Sequence, residues 1–436
     1  MTDTLLTEVR MWGRTIGAAA MHANGDYARF QYEPSFAKSG IEIAPLMMPL
    51  SDRVYEFPAL SRQTFAGLNG MLADSLPDRF GNALIDAWLA SEGRSAERFG
   101  ALDRLCYIGT RGMGALEFAP ARGPRTQHAT VIDIDALVQL ANDVLAHRTA
   151  LHTSLAPRER QRALRDILRV GTSAGGARAK AVIAWNPHTN EVCSGQIDAG
   201  SGFEYWLLKF DGVAGNRDRE LDDPNGFGAI EYAYARMAQA AGIIMSDCRL
   251  LQENGRRHFM TRRFDRHANG SKLHMQSLGA IAHSDFNLAG AYSYEQALLV
   301  MRQLQLSMDA IEQQYRRMVF NVLARNQDDH VKNIAFLMSQ DGTWSLAPAF
   351  DITYSYNPHG LWTNAHQMSI NGKRDHFTAD DLSEVARVAH MHAPRARRIV
   401  QEVTDVVQRW PEFAAHATIP EADVVRIQRT HRDALT

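Results

Sequence analysis

The segment NVLARNQDDHVKNIAF, residues 321–336, sets a cluster of acidic, basic and amide side chains between two apolar stretches. The stretch that leads into it has apolar residues at helical spacing, and the stretch that follows is typical of a buried strand. A solvated turn needs polarity, but it does not need carboxylate, imidazole, ammonium and amide groups together. The order helix, polar loop, strand therefore predicts either a capped surface turn or an active site.

Asp328 and Asn333 follow the D-x-x-x-x-N spacing of a kinase catalytic loop. Phosphoryl transfer requires a carboxylate that orients the attacking hydroxyl, and oxygen ligands for the magnesium ion that bridges the phosphates. Asp351, which follows Phe350 after the next pair of predicted strands, takes the place of a second magnesium ligand. A loop of helix-capping aspartates is the better explanation of a lone D-x-x-x-x-N, and the presence of Asp351 weighs against it.

Other polar residues near this segment have simpler expected roles. Asp329 is expected to brace the loop or to face solvent rather than to bind the metal ion. His330 is expected to orient the loop. His390 and His392 lie near the end of a predicted helix and are interpreted as surface histidines.

A kinase also needs a strand lysine that holds the phosphates and a helix glutamate that holds this lysine. Lys209 ends the apolar run YWLLK, where an ammonium needs a nearby anion or a path to solvent. Glu231, in the predicted helix GAIEYAYARM, is the candidate partner. Each of the two residues alone is equally consistent with an ordinary surface position.

The stretch GTSAGGARAK, residues 171–180, is a glycine-rich loop that precedes Lys209. It fits neither G-x-G-x-x-G nor the P-loop pattern. Gly175 and Gly176 would let backbone N–H groups approach a phosphate, and the basic residues Arg178 and Lys180 add positive charge. Ser173 is either a phosphate acceptor or a turn residue.

Composition bounds the class of protein. The chain has 436 residues and a formal net charge of -2. This balance of charges excludes an overall positive potential that would attract nucleic acid. Its three cysteines form no C-x-x-C pair, so neither a disulfide framework nor a cysteine zinc site is expected. The N-terminal residues lack the apolar core of a signal peptide, and no apolar run is long enough to span a membrane. A soluble cytoplasmic protein is expected.

The order of predicted elements favours an α+β fold, with strands early and helices late. Residues 1–60 are expected to be β-rich, with a tight hairpin at Asn24-Gly25. FEYWLLKFDG, residues 203–212, is expected to be a strand buried on both faces. Residues 308–325 form a long helix by their apolar spacing.

These parts resemble the HipA-like serine/threonine kinases, the toxins of two-component toxin–antitoxin modules. The resemblance covers most of the chain and is most specific in FNVLARNQDDHVKN and PAFDIT. VRMWGRTIG, SLPDRFGNALIDAWL and GMGALEF are similar to the family's N-terminal portion, and TSAGGARAK, WLLKF, RRFDR and MSINGK to its kinase core. It implies a bilobal protein-kinase-like fold with an extra N-terminal β-rich subdomain over residues 1–122. The kinase core would cover 123–436, with a smaller lobe to about residue 266 and a mostly helical lobe over 267–436.

Carried over to this chain, the resemblance makes Asp328 the catalytic base, Asn333 and Asp351 the magnesium ligands, and Ser173 an autophosphorylated serine. The residues implied to bind ATP are Gly175, Gly176, Ala177, Arg178, Lys180, Lys209, Arg262, Arg263, Phe264, His330, Lys332, Asn333 and Asp351. Arg262, Arg263 and Phe264 would form the adenine-side hinge. Arg262 stands where the family usually has an acidic residue, and HMQSLGAIAHSDFNLAGAYS, residues 274–293, also departs from the family pattern.

The resemblance further implies an ATP- and magnesium-dependent protein kinase that phosphorylates a translation component, such as an aminoacyl-tRNA synthetase, and arrests growth. Its partner would be a small HipB-like helix-turn-helix antitoxin, through which alone it would reach operator DNA. The sequence leaves two alternatives: a small-molecule phosphotransferase on the same core, and a catalytically idle corepressor of the antitoxin. The Lys209, Asp328, Asn333 and Asp351 set weighs against the second.

Overall fold

A computed structural model describes residues 6–22, 24–123, 132–146, 167–168, 171, 178–196, 199–213, 226–267, 270–432 and 435. The strands are β1 Leu6–Met11, β2 Arg14–Met21, β3 Ala28–Tyr32, β4 Val54–Glu56, β5 Leu116–Ala119, β6 Lys180–Trp185, β7 Val192–Ser194, β8 Glu204–Lys209, β9 Cys248–Glu253, β10 Arg256–Arg262, β11 His274–Ser277, β12 Ala335–Met338 and β13 Trp344–Leu346. The helices are α1 Arg62–Phe65, α2 Gly70–Ala73, α3 Arg79–Ser91, α4 Ala101–Ile108, α5 Ile134–Ala146, α6 Phe227–Ala240, α7 Leu278–Ile281, α8 Tyr294–Gln303, α9 Met308–Leu323, α10 Ala379–Val388, α11 Ala393–Val407, α12 Trp410–His416 and α13 Glu421–Gln428.

The described strands form three sheets in which each observed pair of neighbours is antiparallel. The first sheet has the order β4-β3-β2-β1-β5, the second β7-β6-β8-β10-β9, and the third β11-β12-β13. Most helices follow the second sheet along the chain. This mixed α/β arrangement confirms the class expected from the sequence. Within the described residues, no helix is both long and apolar enough to cross a membrane.

The hairpin expected at Asn24-Gly25 is present, but its turn is wider than the tight turn predicted. Strand β2 pairs with β3, and the last paired residues are Met21 and Ala28. The backbone N–H of His22 still donates to the oxygen of Tyr27 at 2.7 Å, and the N–H of Gly25 donates to the oxygen of His22 at 2.8 Å, so the turn lies between His22 and Tyr27. Gly25 takes a positive φ of 77°, a conformation that costs glycine little.

Strand β8 is buried on one face, so the expectation of two buried faces is wrong. Trp206 and Leu208 are buried, whereas Tyr205, Leu207 and Lys209 are only half-buried. The reason is that β8 lies in an antiparallel sheet, which can pack one face on a core and leave the other more open. Because side chains alternate along a strand, Lys209 lies on this more open face.

Helix α3 joins the N-terminal part of the chain to the second sheet. Its residues Phe80 and Leu84 share an apolar core with Ile183 of β6 and Trp206 of β8. Asp78 caps this helix, because its Oδ1 accepts a bond of 2.6 Å from the backbone N–H of Gly81. The N-terminal cap of α3 therefore lies where the N-terminal part of the chain packs against the second sheet.

Helix α9 leads the chain into the polar segment. The apolar residues predicted to form its core face are buried, namely Ile311, Tyr315, Met318, Val319, Val322 and Leu323. Ser307 caps its N-terminus by accepting a bond from the N–H of Ala310. The helix ends at Leu323, and Arg325 then takes a left-handed φ of 56° that turns the chain out of the helix.

Candidate active site

The polar segment closes on itself through Asn333. This residue lies in a short 3-10 turn, Val331–Asn333, just before β12. Its Nδ2 donates to the backbone oxygen of Asp328 at 2.8 Å. The amide nitrogen is thus engaged within the loop, and the amide oxygen is the atom of Asn333 that suits a hard cation.

Asp328 is held at three points and stays partly exposed. Its backbone N–H donates to the Ser355 hydroxyl at 2.9 Å, and its Oδ1 accepts a bond from the Trp362 indole at 2.7 Å. His330 Nε2 lies 3.9 Å from the same oxygen. The side chain retains 21 % exposure, so a reacting group can reach this oriented carboxylate.

Asp329 braces the loop, which is one of the two roles expected for it. The other expected role, in which Asp329 faces solvent, is wrong. Its carboxylate is buried and accepts bonds from the Tyr294 hydroxyl and the Gln367 backbone N–H, each 2.7 Å long. His366 Nδ1 lies 2.8 Å away from the carboxylate. These bonds occupy the carboxylate with protein partners and tie the segment to residues 366–367.

His330 and Lys332 both pack beside Phe286. The His330 and Phe286 ring centroids are 5.7 Å apart, and the Lys332 ammonium lies 4.8 Å from the Phe286 centroid. An ammonium over an aromatic ring is held by the ring's quadrupole. Phe286 belongs to the region that departs from the family pattern, so this region helps to shape the loop.

Lys209 is bonded by two carboxylates that come from distant parts of the chain. Its Nζ lies 2.5 Å from Glu231 Oε1 and also donates to Asp351 Oδ1. The Glu231 side chain is 2 % exposed and the Lys209 side chain 12 %. The predicted pairing of Lys209 with Glu231 is therefore present, and Asp351 joins it.

Burial and charge oppose one another in this cluster. Burial would lower the pKa of Lys209, but the two carboxylates outweigh it and raise the pKa above its ordinary value. Burial would raise the pKa of Asp351, but the Lys209 ammonium more than offsets this and lowers the pKa to about 2. Burial raises the pKa of the Glu231 carboxyl, and Lys209 offsets only part of that rise.

Asp351 and Asn333 line the same cavity, together with His330 and Phe350. Asp351 takes a left-handed φ of 52°, an uncommon conformation for a residue with a side chain. The two residues can thus offer a carboxylate and an amide oxygen to one cation. Magnesium is commonly held by one or two protein groups, with phosphate and water oxygens completing its shell.

The two basic residues at the end of the glycine-rich stretch, Arg178 and Lys180, contact different partners. Arg178 Nη1 lies 3.8 Å from Glu231 Oε2, and the guanidinium stacks 3.3 Å above the Phe227 ring centroid. Lys180 Nζ lies 3.0 Å from Asp78 Oδ2, and both of these side chains are almost fully buried. The predicted nucleotide residues Gly175, Gly176 and Ala177, and the predicted phosphosite Ser173, lie outside the described residues.

The predicted hinge residues differ in what their side chains contact. Arg263 is buried, and its guanidinium donates twice to Asp265, at 2.9 and 2.7 Å. Arg262 Nη1 lies 3.7 Å from the Asp247 carboxylate at the surface. The Phe264 ring centroid lies 5.7 Å from that of Phe350, next to Asp351. The hinge is thus close to the proposed metal site, but the Arg263 side chain serves an internal ion pair.

Sequence reasoning missed two residues at this site, Asp78 and Trp362. Asp78 carried a usable signal, because an aspartate before an apolar helical run is a common helix cap. Its contact with Lys180 joins residues that are far apart in sequence and could not be read from spacing. Trp362 had no such signal, because nothing in its local sequence indicates where its indole points.

The comparisons with known proteins identify the family of the chain. The family model of the HipA N-terminal domain matches residues 7–119, and that of the HipA-like C-terminal domain matches residues 172–410. The C-terminal match alone covers more than half of the chain. The chain therefore belongs to the HipA family. Among curated proteins, none matches the chain.

Several solved structures resemble this chain. A chain of the toxin–antitoxin complex of HipA, HipB and operator DNA from Shewanella oneidensis MR-1 has a TM-score of 0.69 and 16 % identity, over 97 % of this chain and 95 % of that chain. At this identity the likeness shows a shared fold. The proinflammatory kinase CtkA of Helicobacter pylori has a TM-score of 0.30 and 11 % identity, over 53 % of this chain and 93 % of that chain. That similarity is too low to support an argument.

Proposed function

We propose that this protein is an ATP- and magnesium-dependent serine/threonine-protein kinase and the toxin of a toxin–antitoxin module. Its core would have the two-lobed arrangement of protein kinases. Asp328 would orient and deprotonate the acceptor hydroxyl. Asn333 and Asp351 would hold magnesium, which when bound neutralises charge on the transferring phosphoryl group.

The observation that carries this proposal is the bonding of Lys209 by both Glu231 and Asp351. Lys209 lies on strand β8, Glu231 on helix α6 and Asp351 in the loop after β13. Both carboxylates bond the Lys209 ammonium, although the three residues lie far apart in sequence. Kinases use such a lysine–glutamate pair to hold ATP phosphates and such an aspartate to hold magnesium. In this chain the carboxylates keep the ammonium charged in a largely buried place, as a phosphate-binding lysine requires.

The proposed biology follows from membership of the HipA family. The Shewanella structure is a complex of HipA with HipB and operator DNA. We propose that this chain likewise binds a small helix-turn-helix antitoxin and reaches DNA only through it. Its substrate would be a translation component such as an aminoacyl-tRNA synthetase, and phosphorylation of that substrate would arrest growth.

The test is a transfer assay with γ-labelled ATP, magnesium and a bacterial lysate, followed by phosphopeptide mapping. With the wild-type protein we expect label on a serine or threonine of a lysate protein. The variants Lys209→Met and Asp328→Asn should lose this transfer. Lys272→Met is the matched control, since Lys272 forms an ion pair of 2.6 Å with Glu117 outside the proposed site. That variant should retain transfer.

The same assay separates the proposal from its rivals. Label that appears only in the small-molecule fraction would make the protein a small-molecule phosphotransferase. If the wild-type protein neither binds magnesium-ATP nor transfers label, the kinase assignment is wrong and a corepressor role takes its place.

A further inference from the structure

Trp362 makes a direct bond to the proposed catalytic carboxylate. Its indole Nε1 donates to Asp328 Oδ1 at 2.7 Å, within the range of a strong N–H···O bond. The bond joins residues 34 positions apart, so it depends on how the segment around Trp362 is placed against the catalytic loop. A bond to an ionised acceptor is stronger than one between neutral groups.

The segment that carries Trp362 is also bonded to Asp329, the residue that follows Asp328. The Gln367 backbone N–H donates to Asp329 Oδ1 at 2.7 Å, and His366 Nδ1 lies 2.8 Å from Asp329 Oδ2. A further backbone bond of 2.8 Å links the N–H of Gly290 to the oxygen of Gln367. Asp329 thus fixes the segment, and the fixed segment aims the indole at Asp328.

The contact leaves one carboxylate oxygen for chemistry. Oδ1 of Asp328 is occupied by the indole, while the carboxylate keeps partial exposure, so Oδ2 is the oxygen that can accept a hydroxyl proton. The neighbouring Leu361 is 94 % exposed, which places this segment at the protein surface where a protein acceptor can approach.

We infer that Trp362 is a positioning residue for phosphoryl transfer, which holds Asp328 in the orientation that presents Oδ2 to the acceptor hydroxyl. This inference rests on the proposed kinase function. It assigns Trp362 a role in the rate of the transfer step and none in binding ATP, because its bond is to the base.

The bond itself is tested without any activity, in the wild-type protein labelled with ¹⁵N at its tryptophan indoles. The chain has seven tryptophans, and the Trp362 signal is the one that Trp362→Phe removes. Asp328→Asn should move this signal to lower proton frequency, because a neutral amide is a weaker acceptor than a carboxylate. The Trp12 signal is the internal control, since its indole donates at 2.7 Å to the Lys272 backbone oxygen. If the proton frequency of the Trp362 signal is unchanged in Asp328→Asn, the inference is wrong.

The positioning role is tested by the kinetics of Trp362→Phe, which keeps an aromatic ring and removes the N–H donor. We expect kcat to fall by about tenfold or more with KM for ATP unchanged, because small misplacements of a catalytic group lower the rate of the chemical step. Trp12→Phe loses an indole bond of equal length elsewhere and should keep its kcat. The unchanged KM also shows that the variant is folded.

The outcomes separate this inference from the proposed function. If Asp328→Asn abolishes transfer while Trp362→Phe keeps a normal kcat, the kinase stands and the positioning role is wrong. A rise in KM for ATP with unchanged kcat would also overturn it, because that pattern belongs to a binding or structural residue. If wild-type protein transfers no phosphate, both the function and this inference are wrong.

Discussion

Asp351→Asn tests the charge cluster, because it removes one negative charge with little change in shape. In the wild-type protein Lys209 is bonded to both Glu231 and Asp351. The variant leaves Lys209 with Glu231 at 2.5 Å, so the ammonium keeps one partner. The expected loss of stability is therefore smaller than the roughly 3–5 kcal/mol for breaking a buried pair completely.

The magnitude follows from the pKa of Asp351. Lys209 offsets the effect of burial and lowers this pKa from an ordinary value of 3.8 to about 2. A shift of this size corresponds to about 2 kcal/mol of stability at neutral pH. Because the folded-state pKa is the lower one, the contribution is fully present well above pH 3.8 and is lost as the pH falls toward 2.

Urea denaturation of the wild-type and variant proteins at two pH values measures this contribution. We expect Asp351→Asn to lower the free energy of unfolding by about 2 kcal/mol at neutral pH, and by about half as much near pH 3. Asp247→Asn is the control, because the Asp247 carboxylate pairs with Arg262 at the surface, and its loss should change stability by less than about 1 kcal/mol. An Asp351→Asn effect that stays constant between the two pH values would refute the ion-pair reasoning.

The same variant tests the proposed metal site by calorimetry. If Asp351 binds magnesium, Asp351→Asn should weaken ATP binding when magnesium is present, because the metal bridges the carboxylate to the phosphates. With excess chelator the variant and wild-type affinities should be similar. Equal weakening in both conditions would make Asp351 a structural residue.

Three further predictions concern other parts of the site. Asp328→Asn should lower phosphoryl transfer by roughly 10²–10⁴-fold while ATP binding survives, and near-normal turnover would remove Asp328 from the mechanism. Asp78→Asn keeps an oxygen for the helix cap but removes the charge 3.0 Å from Lys180, so urea denaturation should show a loss of about 3 kcal/mol; a loss under about 1 kcal/mol would contradict the importance of this contact. A phosphate on Ser173 would add about -1.5 to -2 charges, so Ser173→Asp should bind ATP poorly and Ser173→Ala normally in calorimetry. Normal ATP binding by Ser173→Asp, with no phosphate on Ser173 after long incubation with magnesium-ATP, would make Ser173 a turn residue.

Much of the site could be predicted from local patterns. The apolar spacing of residues 308–325 predicted α9, because a helix with one buried face repeats its apolar residues every three or four positions. The apolar strand before Lys209 indicated that its ammonium needs a partner, and Glu231 on the next helix was the right choice. These predictions succeeded because each depends on a residue's immediate neighbours and on the free energy of burying a charge.

Other features were decided only when distant segments packed together. The face of β8 that carries Lys209 is half open because the second sheet is antiparallel, which composition alone did not indicate. Asp78 meets Lys180 because α3 packs on that sheet. Trp362 reaches Asp328 because residues 366–367 are bonded to Asp329. In each case a side chain's partner depends on a tertiary contact, and neither spacing nor periodicity encodes the direction in which that side chain points.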